Sequence, residues 1–493
     1  DGREHRLHPL SWLFVLVAQL KQFIVPLVVL LFAGRGDRND LWGLLAMGAL
    51  VVASLAQYLT YRYQLGRDAI TIRSGWLHRS RREIPFARIH NVSLQQSLLH
   101  RLAGVAEVRL ESAGGVKPEA QMRVLRMDQA LALEALVRRR GQAAGNEAAD
   151  AAPAAPLLTL STPELVRLGL ISNRGMLVVA AAFGVLAQAG DDVFRVVVER
   201  WGKLAFGWLT RTIGAHAHDS PLAIGLATAT LLVAALVAVR LLSVALAILQ
   251  YHGFALREDD GRLLVERGLR ARSRASARRR RIQAWSLREG VLHRWFDRRS
   301  LRVDTASGQR GREAGVHALK DIAPIATPAR CDALLAHFLP GMGWDTLDWQ
   351  PLHRGAWWRI ALPGLVVVLL ATALLALRFG AWGALGLLAV PLQLWRARRI
   401  ADACGWACNG RLVAWRSGWL SKAWNLAEIG KLQAVRLSQS PLDRRLGMAS
   451  LLLDTAGATP FGPPLHLRHL PREAAEALSA RLVTQLAGRR LQW

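Results

Sequence analysis

Hydrophobic positions are grouped into long runs, and between the runs apolar and polar positions alternate with the period of two that is typical of β-strands. The six apolar runs cover residues 10–33, 41–59, 176–189, 222–249, 358–377 and 381–395. A helix needs roughly 20 apolar residues to cross the hydrocarbon layer of a membrane. The third and sixth runs are short by this measure. Because the runs lie in three neighbouring pairs, the pattern predicts three membrane hairpins.

The connection inside the second hairpin is longer than the turns of the other two. Val193, Val197 and Trp201 recur there at helical spacing among charged residues. This spacing predicts an amphipathic helix in the membrane surface or, equally, a small helix that caps the hairpin outside the membrane. Lys21 and Arg240 lie within apolar runs. We expect the charged ends of both to reach the interface rather than mark a transport pathway.

An internal repeat runs through the segments between the hairpins. Each copy has a glycine followed by an apolar residue, at Gly75, Gly268 and Gly418. Thirteen residues later comes a basic residue, and twenty-three residues after that an acidic one. The basic positions are Arg88, Arg281 and Lys431, and the acidic positions are Glu111, Asp304 and Asp454. Three gapless matches indicate one module that is present three times.

Each copy is built mainly from strands. Alternating segments end at the repeated glycine, and further strands precede the acidic position. The predicted strands include 69–73, 263–267, 412–417, 108–111, 301–304 and 451–454, and the predicted helices lie near 128–140, 328–338 and 471–488. The module is therefore predicted to be a small twisted sheet or open β-barrel followed by a C-terminal helix.

These elements divide the chain into seven parts. They are a first transmembrane hairpin at 1–61, module 1 at 62–140, an Ala/Pro linker at 141–160, a second hairpin with an amphipathic connection at 161–250, module 2 at 251–340, a third hairpin at 351–397 and module 3 at 398–493. The predicted fold class is a multi-pass α-helical membrane protein with three β-rich modules.

The charge distribution predicts the orientation of these parts. The net charge is +28, from 64 Lys and Arg against 36 Asp and Glu, and it calls for an acidic partner or surface. Lys and Arg lie at the entries and exits of the hairpins and in the modules, whereas the opposite turns carry little charge. The positive-inside rule then predicts cytoplasmic modules. No small-residue cleavage site follows the first apolar run, so we expect no cleavable signal peptide.

The stretch 84–92, with the sequence IPFARIHNV, stands after two apolar runs and a strand–Gly–strand pattern. This arrangement resembles the bacterial pleckstrin-homology-like membrane proteins of type 2, the YdbS/YdbT-like group. Module 2 departs from the motif with Ala277-Arg278 in place of Ile-Pro, and in module 3 Glu428 precedes Ile429. The resemblance covers nearly the whole chain. It implies a pleckstrin-homology-like fold in a bacterial inner membrane, a partly open β-barrel capped by a helix, but it fixes no activity.

Motifs for catalysis are absent from the sequence. There is no phosphate-binding loop, no nucleophile elbow and no His pair with metal spacing. Cys331, Cys404 and Cys408 lack the spacing of a zinc site or a disulfide framework. The repeated acid is expected to form a structural ion pair with the repeated cation, because an enzyme needs one site whereas a fold-defining contact recurs in every copy. The expectation is a protein without enzymatic activity, metal or cofactor.

Basic residues after the repeated glycines are the candidates for binding anionic lipid headgroups. They are Arg79, Arg81 and Arg82 in module 1 and Arg270, Arg272, Arg274, Arg278, Arg279, Arg280 and Arg281 in module 2. At this place module 3 has only Lys422. Each cation near an anionic membrane contributes about 1 kcal/mol. The alternative is that these residues only set the topology. Nucleic acid is not expected as a partner, because no aromatic residues interleave with the arginines for base stacking.

Two classes of function remain open from the sequence. One is a membrane-anchored binding or scaffold protein whose modules contact anionic lipid headgroups, a membrane protein partner or a second copy of the chain. The other is a component of envelope stress or transport that uses the six helices as a pathway. The membrane runs contain almost no polar residues away from their ends, which favours the first class.

Overall fold

The computed structural model describes the following parts of the chain: 4–6, 60–66, 69–75, 79–86, 89–96, 100–112 except 102, 120–140, 155–188, 221–269, 272–305, 319–341, 343–455 except 345, 465–488, and scattered positions in 12–59 and 195–207. The chain forms two compact units. One comprises Asp1–Ser112, Pro118–Ala255 and Val265–Ala275, and the other Ala113–Lys117, Leu256–Leu264 and Ser276–Trp493.

Module 1 consists of two antiparallel three-stranded meanders and a C-terminal helix. Its strands are β2 (Arg62–Leu65), β3 (Ala69–Ser74), β4 (Ser80–Pro85), β5 (Ile89–Gln96), β6 (Val105–Ser112) and β7 (Ala120–Arg126), and its helix is Met127–Arg140. A short strand β1 (Glu4–Arg6) pairs with β2. The alternating residues of the strands supply the core: Ile70, Val108 and Leu110 are fully buried, and Leu133 of the helix packs with them.

Modules 2 and 3 repeat the order of module 1. After a two-residue strand β8 (Leu158–Thr159), module 2 has β9 (Ala255–Asp259), β10 (Arg262–Arg267), β11 (Arg272–Arg278), β12 (Ile282–Glu289), β13 (Arg299–Thr305), β14 (Asp321–Ala326) and the helix Pro328–Phe338. Module 3 has β15 (Gly405–Cys408), β16 (Leu412–Ser417), β17 (Lys422–Glu428), β18 (Leu432–Ser438), β19 (Met448–Thr455), β20 (Leu465–Pro471) and the helix Arg472–Ala487.

The repeated glycines occupy the same turn, between the second and third strands of each module. Their φ angles are 108° at Gly75, 113° at Gly268 and 88° at Gly418, values that residues with a Cβ rarely adopt. At Gly418 a Cβ would also meet the carbonyl group of Ser421. The positive φ explains why the glycine recurs, and the sequence prediction of one shared turn is confirmed.

The ladder between the fourth and fifth strands is also the same in every module. The acidic residue lies opposite Asn91 in module 1, Ala284 in module 2 and Ala434 in module 3, and each ladder has an irregularity one step earlier. A bulge at the same place in three ladders needs the same number of residues in each strand. The gapless spacing in the sequence therefore reflects one fold that is built three times.

The fourth strand of each of the first two modules pairs with the third strand of the next. In the first unit Gln96 of β5 lies opposite Arg272 of β11, and in the second unit Glu289 of β12 lies opposite Lys422 of β17. The strand orders are β1-β2-β3-β4, β7-β6-β5-β11-β10-β9-β8, β14-β13-β12-β17-β16-β15 and β18-β19-β20. None of these four sheets of described residues closes into a barrel, and two of them continue from one module into the next.

Apolar helices precede modules 2 and 3. The helix Arg174–Gln188 contains most of the third predicted run, and the helix Pro221–Tyr251 contains the fourth. The fifth run lies in the helix Ala356–Phe379; the sixth begins in the 3₁₀ segment Gly380–Leu388 and continues in the helix Ala389–Ala403. The first two runs and the amphipathic connection lie mostly outside the described residues.

Two stretches of described residues, Thr228–Tyr251 and Ala356–Ala403, are long and apolar enough to cross a membrane. A third candidate is the pair Thr162–Ile171 and Arg174–Gly184, which is bent by 51°. The prediction of six spanning helices therefore extends beyond what the described residues support. After the helix Ala356–Phe379 the chain folds back on that helix. The 3₁₀ segment Gly380–Leu388 is part of this fold-back, and its Gly383 packs on Ala376.

Glycines allow the closest approaches within this fold-back. Gly383 lies against the backbone of Ala376 and Gly386 against Thr372, both without room for a Cβ, and Gly364 lies against the side-chain amide of Gln393. Small residues at helix contacts are how membrane helices pack when lipid offers no hydrophobic driving force. The predicted turn at Phe379 and Gly380 is thus the place where the chain reverses.

The bend between Ile171 and Arg174 is held by Arg240 of the helix Pro221–Tyr251. Its guanidinium donates to the carbonyl oxygens of Leu170 at 3.1 Å and Ser172 at 3.4 Å. These carbonyls end a helix and have no partner within it. Arg240 lies midway along the stretch Thr228–Tyr251 and bonds to the end of a different helix. Its position at the membrane interface stays a prediction.

Candidate functional site

The end of module 3 that carries the repeated glycine contacts the base of the apolar helices. Trp419, directly after Gly418, packs edge-on against Trp395 with ring centroids 5.0 Å apart. Trp395 belongs to the helix Ala389–Ala403, just before Arg396, Arg398 and Arg399. Tryptophan followed by arginines is typical of the level where a membrane helix meets the headgroups, so this contact joins the hairpin end of module 3 to the part of the helix that has this composition.

Aromatic residues at both ends of the apolar helix indicate the membrane borders. Trp358 in its first turn is 51% exposed, and Trp382 beyond its C-terminal end is 78% exposed. Between Trp358 and Phe379 the helix rises about 31 Å at about 1.5 Å per residue, which matches a hydrocarbon layer of about 30 Å. Arg398 stacks on Trp357, with its guanidinium carbon 4.5 Å from the ring centroid, and so holds a cation at the same border.

A second link ties module 3 to the start of this helix. Arg359 donates from Nε to Oδ1 of Asp443 at 2.7 Å and from Nη2 to the hydroxyl of Ser440 at 3.2 Å. Ser440 and Asp443 also cap the short helix Pro441–Arg445 through reciprocal bonds. Burial acts to raise the pKa of Asp443, but the bonds from Ser440 and Arg359 outweigh it, and the pKa lies below its ordinary value. The carboxylate therefore stays charged and keeps this link closed.

A corresponding short helix in module 2, Val291–Trp295, exposes apolar side chains. Val291 is 53% and Trp295 is 81% exposed, and residues four apart lie on one face of a helix. The neighbouring Arg294 donates from Nη2 to the carbonyl oxygens of Trp419, at 3.3 Å, and of Leu420. The exposed face thus lies beside the hairpin end that contacts Trp395. We call the group Val291, Arg294, Trp295, Trp395, Trp419 and Leu420 the membrane-end surface.

Sequence reasoning missed Arg294 and Trp295. Arg101, Arg294 and Arg444 each lie thirteen residues after the repeated basic position, so a further gapless match was available in the repeat. Arg101 donates to the carbonyl oxygen of Leu269 at 3.0 Å, as Arg294 does to that of Trp419. A helix of five residues leaves no periodic pattern that would have identified Trp295.

The predicted headgroup arginines lie in more than one place. Arg79, Arg81 and Arg82 are exposed on or next to β4. In module 2, Arg272 is exposed near the hairpin end, whereas Arg274 forms ion pairs with Glu134 and Glu266, each at 3.2 Å. Arg274 is therefore already neutralised within the chain. Arg270 and Arg88 lie outside the described residues.

Arg278, Arg279, Arg280 and Arg281 lie at the opposite end of β11 from the hairpin end, about 20 Å away for seven residues at about 3.3 Å each. Arg279 contacts Glu258 at 3.7 Å. Burial, together with the charges of Arg280, Arg278 and Arg262, lowers the pKa of Arg281 to about 10. These arginines form a second positive region that is separate from the membrane-end surface.

The repeated acid and the repeated cation of module 3 do not pair with each other. Lys431 donates to Glu428 and to the carbonyl oxygen of Ile282, both at 2.6 Å. Asp454 lies opposite Ala434 one strand away. Lys431 ends a 3₁₀ turn before β18, so its side chain reaches back to Glu428. The expected ion pair between these two repeated positions is therefore replaced by a local one.

The three cysteines lie in or beside the cores of their modules: Cys331 and Cys404 are buried, and Cys408 is partly buried. Burial raises the pKa of Cys331 to about 12, and it also raises the pKa of Cys404 and Cys408. Thiols with raised pKa are poor nucleophiles and poor metal ligands. Within the described part of the chain, no three His, Cys, Asp or Glu side chains come together as a metal site.

Comparisons with known proteins agree with the repeat. The family model of the bacterial PH domain matches three times, at residues 14–141, 209–329 and 358–485. The UPF0699 transmembrane protein YdbT of Bacillus subtilis (strain 168) is 21% identical over 451 residues, which cover 89% of this chain and 90% of the relative. No solved structure matches the chain. Because each match joins an apolar segment to one of the repeated modules, the chain belongs to the bacterial PH domain family.

Proposed function

We propose that the protein is a membrane-anchored binding or scaffold protein of the bacterial inner membrane. In this proposal three helical hairpins hold the modules on the cytoplasmic face, and the hairpin ends of the modules lie in the headgroup layer. There the cations bind anionic phospholipid while the remaining surfaces serve protein partners. The membrane-end surface has the composition for this role, since exposed Trp295 and Leu420 suit the interface and Arg294 suits its charge.

The contact between Trp419 and Trp395 is the observation that carries this proposal. It joins a module to the end of an apolar helix, which supports a position of that module close to the lipid surface. An apolar surface that faced water would be costly at about 25 cal/mol for each Å². Placed against lipid, the same side chains add binding energy.

A transport role receives less support from the helices. The hydroxyls of Thr230 and Thr372 donate to carbonyl oxygens one turn earlier in their own helices, at 2.9 and 2.8 Å. Hydroxyls used in this way are satisfied within one helix and do not line a path for a polar solute. We therefore also propose that the protein is not an enzyme or a transporter, and that its activity is binding.

Lipid selection by the full-length protein tests the proposal. The protein is placed in nanodiscs with equal amounts of phosphatidylglycerol and phosphatidylcholine, and the lipids that stay bound are counted by native mass spectrometry. We expect enrichment of the anionic lipid and its decrease in high salt, because exposed charges are screened over about 10 Å at 0.1 M salt.

Paired substitutions locate the effect. Arg399→Gln with Arg445→Gln removes two exposed cations, one on the helix that carries Trp395 and one on the short helix that Arg359 contacts, and Arg481→Gln on the helix Arg472–Ala487 is the control. At about 1 kcal/mol for each cation, the double variant should lose most of the enrichment while the control retains it. Equal retention of both lipids by the unmodified protein would contradict the proposed headgroup binding.

A further inference from the structure

The two junctions between modules have one geometry. In the first, Gln96 lies opposite Arg272, and in the second, Glu289 lies opposite Lys422. Gln96 and Glu289 both stand eight residues after the repeated basic position, and Arg272 and Lys422 both stand nine residues before it. The register of strand pairing is therefore identical when it is counted within the repeat.

An arginine completes each junction in the same way. Arg101 donates to the carbonyl oxygen of Leu269, and Arg294 donates to that of Trp419. Both acceptors directly follow the turn glycine of the next module. A junction thus has two halves: the fourth-strand edge and the arginine of one module, and the third strand and hairpin end of the next.

Module 3 presents the first half of a junction without the second. β18 is an edge strand in its sheet of described residues, and Leu437 on it is 39% exposed. Arg444, the third of the repeated arginines, is exposed, and within the described part of the chain its guanidinium has no hydrogen bond or ion pair. The buried amide nitrogen of Gln439 likewise has no hydrogen-bond partner there.

We propose that this open half-junction binds the third strand and hairpin end of a PH-like module on a different polypeptide, and that the bound strand carries an acidic residue opposite Arg436. Arg436 stands where module 2 has Ser286, whose hydroxyl bonds to Asn425 across the second junction. A cation at this central position favours a carboxylate on the strand that faces it. The proposal goes beyond lipid binding, because it concerns a strand edge and not the membrane-end surface.

Charge disfavours a second copy of this chain as the occupant. In the shared register β4 of another copy would place Arg82 opposite Arg436 and Arg81 opposite Leu437. Like charges directly opposite one another destabilise a strand pair. The corresponding third-strand positions of modules 2 and 3 are Ala275 and Asn425, which carry no charge.

A charge-exchange experiment on the full-length protein tests the docking surface. The probe is a second, differently tagged copy with Arg82→Glu, which supplies the acid that the partner is expected to carry. We expect association in nanodiscs or detergent for Arg82→Glu alone and for Arg436→Glu alone, because each places opposite charges across the strands. The unmodified protein and the double variant should stay unassociated, since both place like charges there.

Arg81→Glu is the matched control, because it makes the same change in net charge but faces Leu437 in this register. Ser438→Cys and Ser80→Cys, which would lie opposite each other, should cross-link only in copies with exchanged charge. Absence of association in both single charge variants, with the fold retained, would overturn the docking surface. Association of unmodified copies through β18 would overturn the requirement for a different, acidic partner.

Discussion

Arg294 donates a hydrogen bond to the carbonyl oxygen of Trp419 at 3.3 Å, from the short helix of module 2 to the hairpin end of module 3. Trp419 in turn packs on Trp395 at the base of the apolar helices. One arginine therefore connects two modules beside the base of the apolar helices. The same connection between Arg101 and Leu269 shows that it belongs to the module and not to one place in the chain.

Arg294→Ala should weaken the second junction. A hydrogen bond from a charged group contributes about 1.5–3 kcal/mol, and partial exposure reduces this to about 1 kcal/mol. We expect the amides of β17 to exchange about fivefold faster with deuterium. Arg444→Ala is the control, since the equivalent arginine has no partner within the described part of the chain. Equal effects of the two variants would contradict the role given to Arg294.

Exchange of residues between equivalent positions tests the pairing chemistry. Ser286→Arg imports the residue of module 3 into the second junction, where it would face Asn425 in a buried position. An unpaired buried charge should cost about 3 kcal/mol or more and lower the unfolding temperature of the detergent-solubilised protein. Arg436→Ser, the reverse exchange at an exposed edge, should change it little. A small effect of Ser286→Arg would show that β12 and β17 are not tightly paired.

Asp443→Asn should release module 3 from the helix that begins at Ala356. Removal of one partner of a buried ion pair costs about 3 kcal/mol. Since the pKa of Asp443 is lowered in the folded protein, its contribution is complete above the ordinary carboxyl pKa and is lost as the pH falls through the lower folded value. The unfolding temperatures of the protein and the variant should therefore differ fully at pH 7, begin to approach each other below about pH 4, and become equal only below the lowered folded pKa. A difference that does not change with pH would contradict this.

The orientation of the modules follows from the distribution of Lys and Arg. Reporter fusions after Arg140, Arg312 and Trp493 should all give the cytoplasmic signal, because the basic segments stay on the side of synthesis. Paired cytoplasmic and extracytoplasmic reporters at each site serve as mutual controls. One extracytoplasmic result would disprove the arrangement of three hairpins.

The repeat predicted local geometry well because spacing constrains strands directly. Equal distances between Gly268, Arg281 and Asp304 and their counterparts required the same turn, the same bulge and the same ladder in each copy. The helix Pro328–Phe338 was predicted at its observed bounds. Pro328 at its start, with Thr327 before it as the N-cap, is a strong sequence signal for a helix N-terminus.

Contacts between the modules could not be predicted from the spacing of the repeat. Gln96 and Arg272 are 176 residues apart in the chain, and a single sequence holds no periodic signal for their pairing. The third strands of modules 1 and 3 nevertheless differ in composition. The third strand has Trp424 and Leu426 where it is paired in module 3, but Arg81 and Glu83 at the exposed edge of module 1. In module 2, however, the paired strand β11 carries Arg274 at the position of Trp424, so a charge at this position does not by itself distinguish an exposed edge from a paired one.

The depth of residue 295 is the most direct test of the central claim that the modules meet the membrane through their hairpin ends. Trp295→Cys and, as the control, Val483→Cys on the helix Arg472–Ala487 are spin-labelled in full-length protein in neutral nanodiscs; the native side chains are 81% and 50% exposed. Collision rates with oxygen, which concentrates in lipid, and with a water-soluble nickel complex are then compared. We predict that oxygen dominates at 295 and nickel at 483. Nickel dominance at both positions would contradict the account.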